Sequence, residues 1–340
     1  MLTLEQQAVH LQQVSRTFAL TIPVLPMPLA DWVGNAYLLC RIVDTIEDDP
    51  SLSCPIKQQH MDLFLTSLQG GCSISVEAWS RQLAGCLSIN TQAGEQALIA
   101  DIPAVLARLF SFPAAVQRIL VQGVSIMSRG MSAQQQHANI SDGNALDHYC
   151  YHVAGVVGEL LTELFSVYAP AIGQQKAVLL PLAVSFGEGL QLTNILKDIQ
   201  EDAARGVRWL PGPPLAAAEC STHQDQQQIA DYIALAHGHL QDALAFTLKL
   251  PKQEPGIRQF CLWAVGMAIL TLQRVSAHSL SSEVVPVKIS RRQVKGVIVS
   301  CRVLGWNNAL LRAYFHWLGR GLPLMHRDVN ELHQRVSAWQ

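Results

Sequence analysis

Two long stretches, Tyr149–Tyr168 and Val178–Asp202, are mostly apolar, and they limit the architectures open to this chain. Strands rarely exceed about ten residues. Apolar runs of greater length read as helices, and helices this apolar are buried on most sides. A third segment, Trp32–Glu47, places apolar residues at 32, 33, 36, 39, 40, 43 and 46, close to the 3.6-residue period. Alternating β-branched runs bounded by Asn-Gly or Asp-Gly do not recur. Prolines 23, 26 and 28 exclude a regular helix across TIPVLPMP. The expectation is an all-α, single-domain helical bundle over residues 1–340. Its loops are predicted at Pro50–Gln59, Gly70–Ser75, Pro211–Gln228 and Ser279–Pro286.

Composition narrows the function classes. Hydrophobic residues make up 49% of the chain and charged residues 15%, against about 25% charged in an average soluble domain. Such a chain has ample apolar surface to bury and is not disordered. With 24 basic and 26 acidic residues, nothing points to a nucleic-acid partner. The eight cysteines are scattered without a CxxC pair, so neither a zinc site nor a disulfide framework is indicated. Buried free thiols are expected at Cys40, Cys150 and Cys261, in a reducing compartment. The N-terminus lacks the basic start of a secretory signal. The apolar run Gln259–Gln273 is closed by Arg258 and Arg274 and is too short to span a bilayer. A soluble, cytoplasmic protein is expected, with charge low enough to permit peripheral contact with a membrane.

Against this apolar background stand two acidic clusters, Asp44-Thr-Ile-Glu47-Asp48-Asp49 and Asp198-Ile-Gln-Glu201-Asp202. Asp44 and Asp48 are four apart, as are Asp198 and Asp202, so each pair shares one helix face, about 6 Å apart. Like charges at that spacing, near a helix C-terminus, cost stability. The plainer alternative is a pair of solvated helix ends. The sharper one is carboxylate walls for Mg²⁺, which takes oxygen ligands and is typically shared between one or two carboxylates and substrate phosphates. Arg41, Lys197, Arg205 and Arg208 lie close to the clusters in sequence, and Ser15-Arg16 stands at the start of the PVLP region. Together they suit a diphosphate that must leave. The carbocation left behind needs a dry, aromatic-lined pocket, for which Phe18, Tyr151, Phe186 and Phe260 are candidates.

These residues resemble the squalene and phytoene synthase family of head-to-head prenyltransferases. Ser15-Arg16-Thr-Phe18 resembles its SRxF element, and Arg41 to Asp49 its first aspartate-rich motif. Tyr149-Cys-Tyr151-His152-Val-Ala154-Gly155-Val-Val-Gly158 resembles the YCxxVAGxVG segment, and Gln191-Leu-Thr-Asn194-Ile-Leu-Lys197-Asp198 to Asp202 the second acidic motif. The glycines of the YCxxVAGxVG segment cost helix stability, so either a substrate or a neighbouring helix comes close there.

Within the family, Phe260-Cys261 to Leu272 and Val287-Lys288-Ile289-Ser290-Arg291-Arg292-Gln293 are similar to segments of squalene synthases. The resemblance implies an isoprenoid-synthase bundle with a central apolar cavity. It implies a transferase, of bacterial soluble type, that joins two farnesyl diphosphates and reduces the product to squalene for sterol or hopanoid biosynthesis. Implied catalytic residues are Tyr151, His152, Asp44, Asp48, Asp198 and Asp202, with Tyr151, His152 or the released diphosphate accepting a proton. Implied substrate-binding residues are Ser15, Arg16, Phe18, Arg41, Gln191, Asn194, Lys197, Arg205, Arg208 and Phe260.

Mg²⁺ would be held by Asp44, Glu47, Asp48, Asn194, Asp198 and Asp202, and NADPH by Lys288, Arg291 and Arg292. A monomer that touches a membrane to release product is expected. His152 stands where some relatives have tyrosine, Lys197 where arginine is frequent, and Ser290 where arginine is usual. The rivals are a synthase that stops at dehydrosqualene or phytoene, a head-to-tail prenyltransferase or terpene cyclase, and a non-catalytic prenyl-binding helical subunit.

Overall fold

The computed structural model describes all residues except 16, 72–74, 135–139, 205, 213–222, 279–286 and 340. Among the described residues the regular structure is helical throughout. Contacts gather the chain into two compact units. One comprises Met1–Ala138, Glu163–Gly173 and Ala338–Gln340; the other comprises Asn139–Thr162 and Gln174–Ser337.

The first unit begins with α1 (Leu4–Val14), opened by a capping box in which Thr3 and Gln6 exchange side-chain and backbone bonds. Next come α2 (Phe18–Thr21) and a single 3₁₀ turn at Ile22–Val24. The prolines stop regular helix there, and α3 (Leu29–Asp48) starts directly after Pro28. Beyond it lie α4 (Cys54–Leu68), α5 (Val76–Cys86), α6 (Ala93–Ala100), α7 (Ile102–Leu109) and α8 (Ala114–Gln134). The loop expected over Pro50–Gln59 is shorter, because Pro55 occupies the first turn of α4, where its missing N–H costs nothing. Buried α3 lies against α1, α6, α7 and α8. Polar clasps fix these contacts: Asn35 Nδ2 donates to the Val105 carbonyl at 3.1 Å, and Arg108 makes a two-pronged pair with buried Asp31.

The second unit opens with α9 (Gly143–Cys150) and a π-helical turn over Tyr151–Gly155. The long helix expected over Tyr149–Tyr168 is therefore interrupted. It resumes as α10 (Val156–Tyr168), whose end, with the single turn α11 (Pro170–Gly173), counts in the first unit. The rest comprises α12 (Lys176–Ala204), α13 (His223–Lys249), α14 (Pro255–His278), α15 (Arg291–Leu304), α16 (Asn308–Leu318) and α17 (Val329–Val336). α12 packs on α13, α14, α17 and the π turn.

α14 extends past the 15-residue apolar run because Arg258 lies inside the protein. Its guanidinium donates to the Thr247 and Leu250 carbonyls and to Asn308 Oδ1, closing the C-terminal end of α13. Lys176–Ala204 and Pro255–Ala277 are long and apolar enough to cross a membrane by length and composition. Two-thirds of each apolar window is buried within the protein, as in a core helix. Cys40 is half-buried and Cys150, Cys261 and Cys301 are buried, all as free thiols. Burial pushes the Cys261 and Cys301 thiols up to about 12, which leaves them inert.

The small-residue face of the YCYHVAG segment is a helix crossing. A Cβ on Gly158 would stand 2.1 Å from the Ala183 carbonyl oxygen, and one on Gly187 2.2 Å from that of Ala154. Neither backbone can yield as a side chain would. Gly187→Ala is expected to cost about 3 kcal/mol of stability, whereas Gly296→Ala, which meets nothing within 4 Å, should stabilise α15 by about 0.5–1 kcal/mol. Chemical denaturation of the two variants checks both signs.

Candidate active site

The first acidic segment ends α3, in the first unit. Asp44 is a quarter exposed and lies 3.9 Å from Arg41. Arg41 itself is paired with Glu95 of α6. Burial raises the Asp44 carboxyl to about 7, against the pull of Arg41 and with the push of Asp48 and Glu95. Asp48 is exposed, and the Glu47 carbonyl accepts from Lys57 of α4, which satisfies a helix-end group.

Asp49 does a different job. It is buried and accepts from the Ser51 and Ser88 amides and the Thr91 hydroxyl at 2.8, 2.9 and 2.6 Å. The segment thus divides into a structural acid, Asp49, and three others, Asp44, Glu47 and Asp48. Upstream, Ser15 Oγ accepts from the Phe18 amide at 3.1 Å, and the Phe18 ring packs on Tyr37, one turn before Arg41, at 4.9 Å. Arg16 lies outside the described residues.

The second acidic segment ends α12, in the second unit. Asp198 pairs with Lys197 at 3.0 Å, both about one-third exposed. Asp202 is buried on the wall of a pocket of about 220 Å³. Ile195, Ile199, Arg208, Trp209 and Ile229 also line it. Arg208 Nε donates to the Leu210 carbonyl at 2.9 Å; Arg205 lies outside the described residues. Gln191 is half-buried and Asn194 exposed on the same helix. Trp209 stacks on Tyr149 with ring centroids 4.5 Å apart. Phe260 is buried in α14, and Phe186 meets Phe246 edge-on at 6.0 Å.

The π turn separates Tyr151 from His152. Tyr151 is fully buried, and its hydroxyl donates to Glu159 Oε2 at 2.8 Å. Glu159 also takes His333 Nε2 at 2.9 Å and Ser337 Oγ at 2.7 Å. His152 is half-buried, with Nδ1 2.8 Å from the His148 carbonyl. A carbonyl only accepts, so Nδ1 carries the proton and Nε2 the lone pair. Burial lowers its pKa, which keeps the ring neutral. Lys288, Arg291 and Arg292 are exposed at the start of α15. Ser290 is the N-cap there, in a capping box with Gln293, which accounts for a serine at that place.

Sequence reading missed several charged residues that organise the site. Glu95 neutralises Arg41 from another helix. Buried Asp147 is held by Arg327 and Arg335. Buried Glu188 faces His239 Nε2 at 3.9 Å, and Ser185 bridges His239 and Asp242. Only an acid inside an apolar run, as at Glu188, was a visible signal. Among the described residues no three His, Cys, Asp or Glu side chains converge to hold a metal by themselves.

The squalene/phytoene synthase family profile matches residues 11–293. The chain belongs to that family. The squalene synthase of Schizosaccharomyces pombe is 27% identical over 78% of this chain and 58% of its own length. That of Rattus norvegicus is 25% identical over 96% of this chain and 77% of its own. This chain therefore spans little more than half of the yeast protein. The solved structure of TcSQS with the ligand BPH1237 superposes with a TM-score of 0.78 at 23% identity, over 98% of this chain and 96% of that one. A dehydrosqualene synthase in complex with ligand superposes at 0.65 and 18%, over 92% and 96%. The fold is the isoprenoid-synthase helical fold that these proteins share.

Asp44 carries a pH test. The folded protein holds its proton up to about pH 7, while the unfolded chain releases it near 3.8. The native state binds more protons across that window, so stability falls as pH rises through it. Asp44→Asn should remove this fall. Unfolding free energies at pH 5 and pH 8 should differ less in the variant than in the parent.

Proposed function

We propose that the protein is a head-to-head prenyltransferase that joins two farnesyl diphosphates into presqualene diphosphate and reduces this to squalene. The observation that carries the reading is the pair of DxxxD faces, one at the end of each of two long buried helices, in a chain of this family. Asp44, whose charge burial opposes, and buried Asp202 suit a divalent cation shared with substrate phosphates rather than a protein-only cage. Asp44, Asp48, Asp198 and Asp202, with Glu47 and Asn194, would hold Mg²⁺, which neutralises charge on a departing diphosphate. Arg41, Lys197 and Arg208 add positive charge near the acids.

When one diphosphate leaves, the allylic cation is attacked by the C2–C3 double bond of the second farnesyl chain. A proton must then be lost. His152 Nε2 is the acceptor this geometry favours, because Tyr151 is buried and engaged with Glu159. Lys288, Arg291 and Arg292 suit the phosphates of NADPH, which supplies hydride for the second step. The protein acts as a cytoplasmic monomer, with a peripheral membrane contact where product leaves.

Use of Ser290 as a helix cap, in place of the usual arginine, favours a second reading: a synthase that stops at dehydrosqualene. Incubation with farnesyl diphosphate and Mg²⁺, with and without NADPH, separates the two by mass analysis of the lipid. Squalene only with NADPH, and presqualene diphosphate without it, is expected. Dehydrosqualene under both conditions would establish the second reading, and no product from any prenyl diphosphate would overturn both.

Asp48→Asn and Asp198→Asn should each lose about a hundredfold or more in turnover while remaining folded. His152→Phe should lose at least as much. Tyr151→Phe should mainly lower stability, by about 1–2 kcal/mol, as a buried hydrogen bond is lost. Steady-state rates and thermal unfolding of the four variants check the division.

A further inference from the structure

Charge is distributed unevenly along this nearly neutral chain. Residues 287–327 hold eight of its 24 Lys and Arg and none of its 26 Asp and Glu. Arg327 is engaged with Asp147. The other seven are exposed, and none forms an ion pair with a described carboxylate.

Five of the seven lie on α15 or α16, with Lys288 just before α15 and Arg320 just after α16, and both helices also carry exposed apolar side chains. α15 turns Val297 and Cys301 inward, against α14. Its opposite face presents Val299, Val303 and then Trp306, which are 58%, 61% and 67% exposed. Lys295 and Arg302 flank them. α16 buries Leu311, Phe315 and Leu318 and presents Leu310 and Trp317, which are 42% and 64% exposed. Arg320 follows Trp317 by three residues, and Arg312 is exposed elsewhere on α16. Both helices rest on α14. Tryptophans and aliphatics this exposed, grouped along two adjacent helices and flanked by cations, mark a partner or lipid surface.

We infer that the outward faces of α15 and α16 form a docking surface for an anionic membrane. Trp and aliphatic side chains enter the headgroup boundary while Lys and Arg meet anionic lipid, the pattern of interfacial helices. A second copy of the chain would bring like positive charges together across this face, which disfavours self-association through it. A polynucleotide would engage the cations but leave Val299, Val303 and Leu310 uncovered. The surface is where the membrane contact proposed above would be made, and its assignment rests on that reading. Its test is vesicle binding, which does not depend on turnover.

The measurement is co-sedimentation of the full chain with vesicles of phosphatidylcholine alone, or with one-quarter phosphatidylglycerol. Binding to the anionic vesicles is expected, weakened by salt. Each lysine or arginine near such a surface contributes about fivefold. Lys295→Gln/Arg312→Gln/Arg320→Gln should therefore lower the partition coefficient about a hundredfold. Trp306→Ser/Trp317→Ser should lower it at least tenfold with the cations intact. Thermal unfolding should be unchanged, because all five side chains are exposed. Wild-type affinity in either variant, or no binding by the parent chain, would overturn the inference. So would a dimer in sedimentation velocity that the tryptophan variant abolishes, or retention on duplex DNA without vesicle binding.

Discussion

Where the π-helical turn and α10 cross α12, backbone meets backbone. Gly158 lies against Ala183 and Gly187 against Ala154, at separations that leave no room for a methyl group. Two helices this close have little freedom to slide or rotate, since interiors are packed like solids. That contact constrains the chain in both directions. On one side it lies at the π turn, where the Tyr151 ring is buried and His152 is half-exposed. On the other it anchors the middle of α12, whose far end carries Asp198 and Asp202. Glycine is required because the crossing carries the site, and its cost to helix stability is offset by the packing.

The charges fall into two groups that the fold treats differently. Asp31, Asp49, Asp147 and Glu159 are buried and richly bonded, each tying distant segments together. Removing a partner from such a group would leave an unsatisfied charge inside the protein. Asp44, Asp48 and Asp198 remain on accessible helix faces with few protein partners, and burial works against the ionised form of Asp44. An acid whose protein surroundings oppose its charge suits a group completed by a ligand. Glu188 and His239 form a third kind of arrangement, buried and facing one another. Burial keeps both neutral, raising the carboxyl and lowering the imidazole to about 3.

The C-terminal helices show the same economy. Arg258 is turned inward, where it closes the end of α13 and holds Asn308 at the start of α16. The neighbouring cations of α15 and α16 are turned outward, among exposed tryptophans. One layer thus uses arginine both as an internal strut and as surface charge. Its position relative to the apolar stripe of its own helix decides which.

Apolar periodicity determined that the chain is helical and placed α3 and α12, because burial of one face is written directly into residue spacing. It gave no sign of α8 or α13, and it left as loop the stretch before Gln228 where α13 begins at His223. The proline run, the two acidic segments and their one-face geometry were legible for the same local reason. Tertiary structure decided what local spacing does not encode. It set Asp49 apart from Asp44 and Asp48, because residues 88–91 bring it two of its three donors from a distant part of the chain. It placed Glu95 on Arg41 across 54 positions of sequence. It made Tyr151 a buried strut and His152 the accessible ring, because Glu159, itself held by His333 and Ser337, takes the Tyr151 hydroxyl. It also resolved the glycines as a helix crossing. Each of these depends on which distant backbone arrives at a given side chain, and that is fixed only when the helices pack.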